Sequence, residues 1–240
     1  MEKTDILKTF INRYENIVFF GGAGVSTESG LPDFRSKDGL YNQKYDYPPE
    51  VILSHDFYES HPEEFFRFYR EKLLVPGIKP NRAHYALAKL EACGKLRCVV
   101  TQNIDGLHQA AGSKNVLELH GSVLRNHCEV CGREYGASAM AGEGIPKCAC
   151  GGRIKPDVVL YGESLDMNIL TAAVKAISEC EMLIVAGTSL TVYPAAGLTR
   201  YFRGEKLVLI NRDATAQDDT ADLVLRESVG KVLSEACSDV

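Results

Sequence analysis

The stretch Gly21-Gly22-Ala23-Gly24-Val25-Ser26-Thr27-Glu28-Ser29-Gly30-Leu31-Pro32-Asp33-Phe34-Arg35 follows the apolar run Ile17-Val18-Phe19-Phe20. A β-branched and aromatic run that ends in glycines reads as a buried strand opening into a tight turn. Glycines at such a turn let the backbone approach a phosphate, and a helix starting at Ser26 or Thr27 would aim free N–H groups at it. The pattern departs from the dehydrogenase fingerprint. After Gly22-x-Gly24 the third glycine should fall at Thr27. No strand ending in a carboxylate follows about 20 residues on, where a ribose partner is expected. The chain instead turns at Pro32 and presents Asp33, Phe34 and Arg35 together. The stretch reads as a dinucleotide site adapted to something other than hydride transfer; the plainer alternative is an ordinary glycine turn of an α/β protein.

Outward from this stretch, periodicity predicts an amphipathic helix over residues 4–14 (Ile6, Leu7, Phe10, Ile11, Tyr14). Residues 36–55 are polar and proline-broken, which beside a phosphate loop suits a lid. Asp56 to Leu74 reads as one or two helices whose aromatic face (Phe57, Tyr58, Phe65, Phe66, Phe68, Tyr69) is mostly core. A further helix starts at Pro80-Asn81. A strand at 96–100 ends in Thr101-Gln102-Asn103-Ile104-Asp105, and one at 116–119 ends in His120-Gly121. Strands follow at 157–160, 182–186, 207–210 and 223–225, with helices over 166–180, from Pro194, and over 228–236. Gly187-Thr188-Ser189 and Asn211-Arg212-Asp213 close two of these strands. The alternation argues for an α/β fold with a doubly wound parallel sheet, whose ligands gather at the carboxyl ends of strands.

The chain of 240 residues is 45% hydrophobic, enough for one large domain or a large one with a small insert. Its net charge of −5 disfavours non-specific nucleic-acid binding. No apolar run approaches a membrane span. The start, Met1-Glu2-Lys3-Thr4-Asp5, carries acidic residues and no following signal-like apolar segment, so a cytoplasmic protein is expected. Its eight cysteines are then not expected to pair as disulfides.

Four of them cluster. Cys128-x-x-Cys131 and Cys148-x-Cys150 are separated by a 16-residue spacer, which suits a tetrahedral thiolate zinc site. Gly132 and Gly151-Gly152 permit turns that point N–H groups at the sulfurs. Four thiolates leave no open position, so the zinc would be structural. A redox pair or unbound thiols are the alternatives. A nucleic-acid-binding ribbon ranks low, because the flanks (Arg125, Arg133, Lys147, Arg153, Lys155) are only modestly basic and lack interleaved aromatics.

With the glycine stretch, Thr101-Gln102-Asn103-Ile104-Asp105, His120-Gly121, two cysteine pairs, Tyr161-Gly162-Glu163 and Gly187-Thr188-Ser189 in this order, the chain resembles the sirtuins, NAD-dependent protein lysine deacylases, over about residues 10–235. The resemblance implies a Rossmann-like large domain (about 1–35, 76–123 and 156–240). It also implies a small domain from two insertions, one helical (about 36–75) and one zinc-binding (about 124–155). In the family, the acyl-lysine oxygen attacks C1′ of the NAD ribose, nicotinamide leaves, and a ribose hydroxyl then carries the acyl group away as O-acyl-ADP-ribose.

By the same resemblance His120 is the base for that hydroxyl, a task suited to an imidazole near neutral pKa; a structural histidine at a strand end is the alternative. His55, His61 and His84 read as solvated or structural, and His108 as packing or capping its helix. Asn103 positions the ribose and a water. Asp105 with Ile104 binds the nicotinamide carboxamide. Phe34 covers that pocket and Arg35 approaches the pyrophosphate. Ala23, Gly24 and Thr27 line the phosphates and Gln102 the ribose. Thr188, Ser189 and Asn211 hold the far phosphate and adenosine ribose. Val229 touches adenine or is simply helix core. The peptide lies between Gly162-Glu163 and Val192-Tyr193 as an added strand. Family members that remove acidic acyl groups carry Tyr-x-x-Arg in the helical insert; here the match is Phe66-Arg67-Phe68-Tyr69, with Arg70 one place off, so acetyl or longer neutral groups are expected. The partners implied are acetylated lysines in proteins, with no membrane and no nucleic acid. Two rivals stay open: an ADP-ribosyltransferase or NAD glycohydrolase on the same fold, and a non-catalytic NAD- or zinc-dependent binding protein.

Overall fold

In the computed structural model, which describes residues 2–33, 39 and 45–239, six parallel strands form one sheet in the order β3-β2-β1-β7-β8-β9. The chain enters through helix α1 (Lys3–Arg13) and strand β1 (Ile17–Gly21), all of whose residues are buried. Strands β2 (Leu96–Thr101) and β3 (Val116–Glu118) pair on one side of β1. Strands β7 (Met182–Ala186), β8 (Lys206–Ile210) and β9 (Leu223–Leu225) pair on the other. The order reverses at β1/β7, which opens a crevice at the carboxyl ends of these two strands. The registers align Gly21 with Thr101 and Ala186, and Ala186 with Ile210. The residues that leave these strands therefore emerge side by side.

Both faces of the sheet are covered, which explains why its central strands are continuously apolar. One face packs on α1, α5 (Arg82–Ala92) and α8 (Val229–Ala236). The other packs on α7 (Met167–Glu179) and a 3₁₀ helix over Ala195–Tyr201. Helix starts follow the capping rules: Asn81 accepts from Ala83 N–H, and Asp166 from the amides of Asn168 and Ile169.

A third core joins three short helices, α2 (Pro49–Ile52), α3 (His55–Ser60) and α4 (Pro62–Phe68), to a small antiparallel sheet ordered β5-β4-β6. Its strands are β4 (Gly121–Cys128), β5 (Glu134–Gly136) and β6 (Ile154–Val158). The aromatics Phe57, Tyr58, Phe65, Phe66, Phe68 and Tyr69 are all core. Arg153 stacks 4.0 Å over the Tyr58 ring and pairs with Glu129 and Glu59, tying the small sheet to α3.

Two expectations are corrected. The strand expected at 157–160 within the parallel sheet is β6, ending at Val158 and pairing antiparallel with β4. Its alternating burial, against the full burial of the central strands, marks a different sheet. No α-helix starts at Ser26 or Thr27; two 3₁₀ turns, Ala23–Val25 and Thr27–Ser29, stand there and end at Gly30 with φ of 90°. Among the described residues no helix is long and apolar enough to cross a membrane.

Candidate active site

One cleft of about 690 Å³ runs along the carboxyl edge of the large sheet and under the small one. It gathers residues from distant parts of the chain. Ala23, Gly24 and Thr27 follow β1. Gln102, Asn103, Ile104 and Asp105 follow β2, and His120 follows β3. Gly162 and Glu163 follow β6. Thr188, Ser189, Val192 and Tyr193 follow β7, Asn211 follows β8, and Val229 opens α8. Phe34 and Arg35 lie outside the described residues, as do residues 36–38 and 40–44 of the expected lid, whose later part holds helix α2.

The glycines also serve a contact that the sequence did not announce. A β-carbon on Gly22 would stand 2.8 Å from the Thr188 β-carbon, and one on Gly24 2.8 Å from the Gly187 α-carbon. These glycines face the neighbouring loop, so they are small because two strand ends cross back to back. Gly187 carries φ of 59°, and its own β-carbon would be 2.4 Å from the Val25 nitrogen. The loops are joined by Gly24 N–H to Gly187 C=O at 2.8 Å.

His120 is half-buried in the cleft wall. Its Nδ1 lies 3.0 Å from the Gln102 carbonyl. A carbonyl only accepts, so Nδ1 carries the proton and Nε2 of the neutral ring has its lone pair free. Burial lowers the His120 pKa below the ordinary imidazole value, outweighing the opposing Gln102 bond, and keeps the ring neutral at pH 7. His120 is followed at once by Gly121, whose φ is 75° and whose β-carbon would lie 1.9 Å from the Asp157 carbonyl oxygen.

Beside it, Ser26 is a hub that the sequence reading quoted but did not single out. Its hydroxyl donates to Asp105 Oδ2 at 2.6 Å and accepts from Asn103 Nδ2 at 3.0 Å. The other Asp105 oxygen accepts from Leu107 N–H at 2.9 Å. Asn103 and Asp105 are thus oriented before any ligand arrives. Further along, Gln102 Nε2 donates to Thr188 Oγ1 at 3.1 Å, and Asn211 Oδ1 accepts from Thr188 N–H at 3.0 Å. The buried Asn211 Nδ2 has no protein partner among the described residues, which suits a ligand acceptor. Val229 belongs to the core and also touches the cleft.

Glu163 does not present a free carboxylate. It accepts from His55 Nδ1 at 3.0 Å, Lys155 Nζ at 3.1 Å and Leu160 N–H at 2.9 Å. Although burial opposes it, these three bonds hold its carboxyl below the usual range. Tyr161 exchanges backbone hydrogen bonds with Leu53 and His55, an isolated parallel bridge that fixes the backbone just before Gly162. Arg70 turns away from the cleft: it donates to the carbonyls of Met140 and Gly144. Lys72 lines the cleft, paired with Glu71 at 2.8 Å.

Outside the cleft, the sulfurs of Cys128, Cys131, Cys148 and Cys150 all lie within 4.8 Å of one another. Cys128 and Cys150 are 3.5 Å apart, and Cys131 and Cys148 3.6 Å. A tetrahedron of sulfurs at about 2.3 Å from zinc has edges of ~3.8 Å, so the donor set fits that ion. The one-residue gap in Cys148-x-Cys150 does not prevent convergence. The Cys150 amide and the Tyr135 hydroxyl lower the Cys148 pKa to about 6. Cys150 is pushed up to about 12 by its sulfur neighbours against the pull of the Gly152 amide. Such crowding of sulfur charge is what a divalent cation relieves. A β-carbon on Gly152 would strike Cys128 Sγ at 2.7 Å.

His84 and His108 are buried away from the cleft, rings 4.7 Å apart. Behind His120 runs a network that the sequence reading missed. Buried Glu118 accepts from Gln109 at 2.9 Å and from Arg125 at 2.7 Å, and Arg125 reaches Asp157 at 3.0 Å. The partners come from α6 (Leu107–Ala110), β3, β4 and β6, and no local pattern announces such a cross-link.

Comparison with known proteins agrees with this geometry. The Sir2 family profile matches residues 22–194. The NAD-dependent protein deacetylase of Clostridium acetobutylicum is 60% identical over 238 residues, covering 97% of each chain. A solved structure of a Sir2 homolog–NAD complex superposes with a TM-score of 0.88 at 39% identity, over 99% of this chain and 93% of that one. Another, of Sir2 with a p53 peptide and NAD+, does so with a TM-score of 0.86 at 39% identity, over 100% and 98%. The chain belongs to the Sir2 family, the sirtuins.

Proposed function

We propose that this protein is an NAD-dependent protein lysine deacetylase, which transfers the acetyl group of acetyl-lysine to ADP-ribose and releases nicotinamide. NAD is a co-substrate and supplies the ribose that accepts the acyl group. The observation that carries the reading is His120. Its Nδ1 proton is engaged by the Gln102 carbonyl and its Nε2 is left as a base, in the cleft that also holds the glycine loop and Asn103.

His120 takes the proton from the ribose hydroxyl. Asn103 positions the ribose, and Asp105 with Ile104 holds the carboxamide, both side chains steadied by Ser26. Ala23, Gly24 and Thr27 approach the phosphates with Arg35, and Phe34 covers the nicotinamide. Gln102, Thr188, Ser189 and Asn211 hold the riboses and far phosphate, with Val229 at the adenine. The peptide backbone runs between Gly162-Glu163 and Val192-Tyr193. Cys128, Cys131, Cys148 and Cys150 hold one structural zinc. The helical segment and the zinc-binding segment form a small domain on a larger one, in keeping with their shared core. Because Arg70 is committed to carbonyls of the zinc-binding segment, the acyl group is acetyl or another neutral one. We place the protein in the cytoplasm, where thiols stay reduced for zinc.

The test is to incubate the protein with an acetyl-lysine peptide, with and without NAD, and follow peptide mass and nicotinamide together. One-to-one loss of acetyl and release of nicotinamide is expected. Nicotinamide release from an intact peptide would shift the function to ADP-ribosyl transfer or NAD hydrolysis.

A further inference from the structure

At one lip of the cleft, Tyr193 is 63% exposed, an unusual state for a large aromatic ring. The ring lies on the 3₁₀ helix Ala195–Tyr201, where a β-carbon at Gly197 would already touch it at 3.6 Å. Three residues on, and hence on the same face of a three-residue-per-turn helix, Arg200 sits over the ring. Its guanidinium carbon is 5.8 Å from the ring centroid, and Nη2 donates to the Tyr193 hydroxyl at 3.2 Å. Arg203 folds back on the same helix end, donating to the Arg200 and Phe202 carbonyls. Among the described residues neither arginine has a carboxylate within 4.0 Å. This is a basic lip on a chain of net charge −5.

We infer that the Tyr193–Arg200 lip selects acylated lysines flanked by acidic residues. The inference rests on the deacetylase reading and names the sequence context of its substrates. A peptide strand at Val192-Tyr193 puts its backbone in the cleft and sends alternate side chains toward the rim. There a glutamate or aspartate meets a guanidinium held in place by the ring. Stacking lowers the ordering cost of the ion pair, and a planar guanidinium matches a carboxylate with two parallel bonds. Backbone pairing alone reads little sequence, so this lip supplies discrimination that the rest of the peptide site lacks.

The experiment compares acetyl-lysine peptides carrying Asp/Glu, Ala or Lys at each of the three positions on either side, at low and high salt. The acidic peptides are expected to show KM about threefold to fivefold below the alanine peptides at low salt, the size of one exposed ion pair, with kcat unchanged. The preference is expected to fade at 0.5 M salt. Arg200→Glu should invert it toward lysine-flanked peptides, and Arg200→Met should abolish it, both with normal thermal stability. Turnover with no charge preference, or a preference that Arg200→Glu leaves unchanged, overturns the inference alone. No turnover of any peptide overturns the deacetylase reading and the inference with it.

Discussion

Gly24 donates its N–H to the Gly187 carbonyl at 2.8 Å, and the two α-carbons are so close that neither residue has room for a side chain. This contact joins the loops after β1 and β7 at the point where the strand order reverses. It holds Thr188 beside Gln102 and Asn211 on the cleft floor. Gly187→Ala adds a β-carbon 2.4 Å from the Val25 nitrogen and forces a side chain into φ of 59°. We expect NAD affinity to fall at least tenfold by calorimetry, with zinc content unchanged. The strain of the left-handed position and the clash together cost about 1–3 kcal/mol.

Glu118 is buried, with Arg125 as its one cation among the described residues. Arg125→Met leaves that carboxylate unpaired two residues before His120, and urea unfolding should show a loss of about 1–3 kcal/mol. Adding Glu118→Gln should restore part of it, because the pair then carries no stranded charge.

Strand β4 starts at Gly121, directly after His120, and ends at Cys128. His120 and the first cysteine of the cluster therefore stand at opposite ends of one strand. Chelation, or Cys148→Ser, should release zinc, lower the melting temperature and abolish activity together, although none of the four clustered cysteines lines the cleft. Metal content by atomic absorption and thermal melts check this.

Burial lowers the His108 pKa to about 3, with neighbouring His84 adding to the effect, and neither ring nitrogen of His108 has a partner among the described residues. The folded state thus resists the proton that the unfolded chain accepts near pH 6.5. Stability is full above that pH and falls as pH drops from about 6.5 toward 3, by up to about 1.4 kcal/mol per pH unit for this one proton. Denaturant midpoints at pH 7, 6 and 5 should decline accordingly, and His108→Leu should flatten the trend.

Much of this architecture was legible in the chain. The fully apolar runs 17–20 and 182–186 gave central strands, and their polar ends gave the cleft, because parallel strands buried on both faces announce themselves and present ligands at one edge. The four cysteines were legible by spacing. What escaped was whatever depends on distant partners. Ser26 acquires its role only when Asp105 and Asn103 arrive from β2. The anchoring of the Glu163 carboxylate by His55 and Lys155 likewise depends on partners distant in sequence or from another strand. β6 was assigned to the wrong sheet because an isolated short run does not reveal its pairing partner. The glycines of the loop were legible as a tight turn, but their packing against the Gly187 loop was not, since that neighbour comes from a distant part of the chain.

The most direct measurement separates the two halves of the reaction in His120→Ala, with folding confirmed by thermal melt and zinc content. Attack of the acetyl oxygen on the ribose releases nicotinamide without a base; the later ribose hydroxyl needs one. The account predicts that peptide-dependent exchange of labelled nicotinamide into NAD persists, while deacetylation falls about 10²- to 10⁴-fold, the usual worth of a general base. Wild-type kcat/KM should meanwhile lose activity only below pH 6.5, since burial lowers the His120 pKa. Deacetylation retained in the folded variant, or exchange lost along with it, would contradict His120 as the base for the ribose hydroxyl.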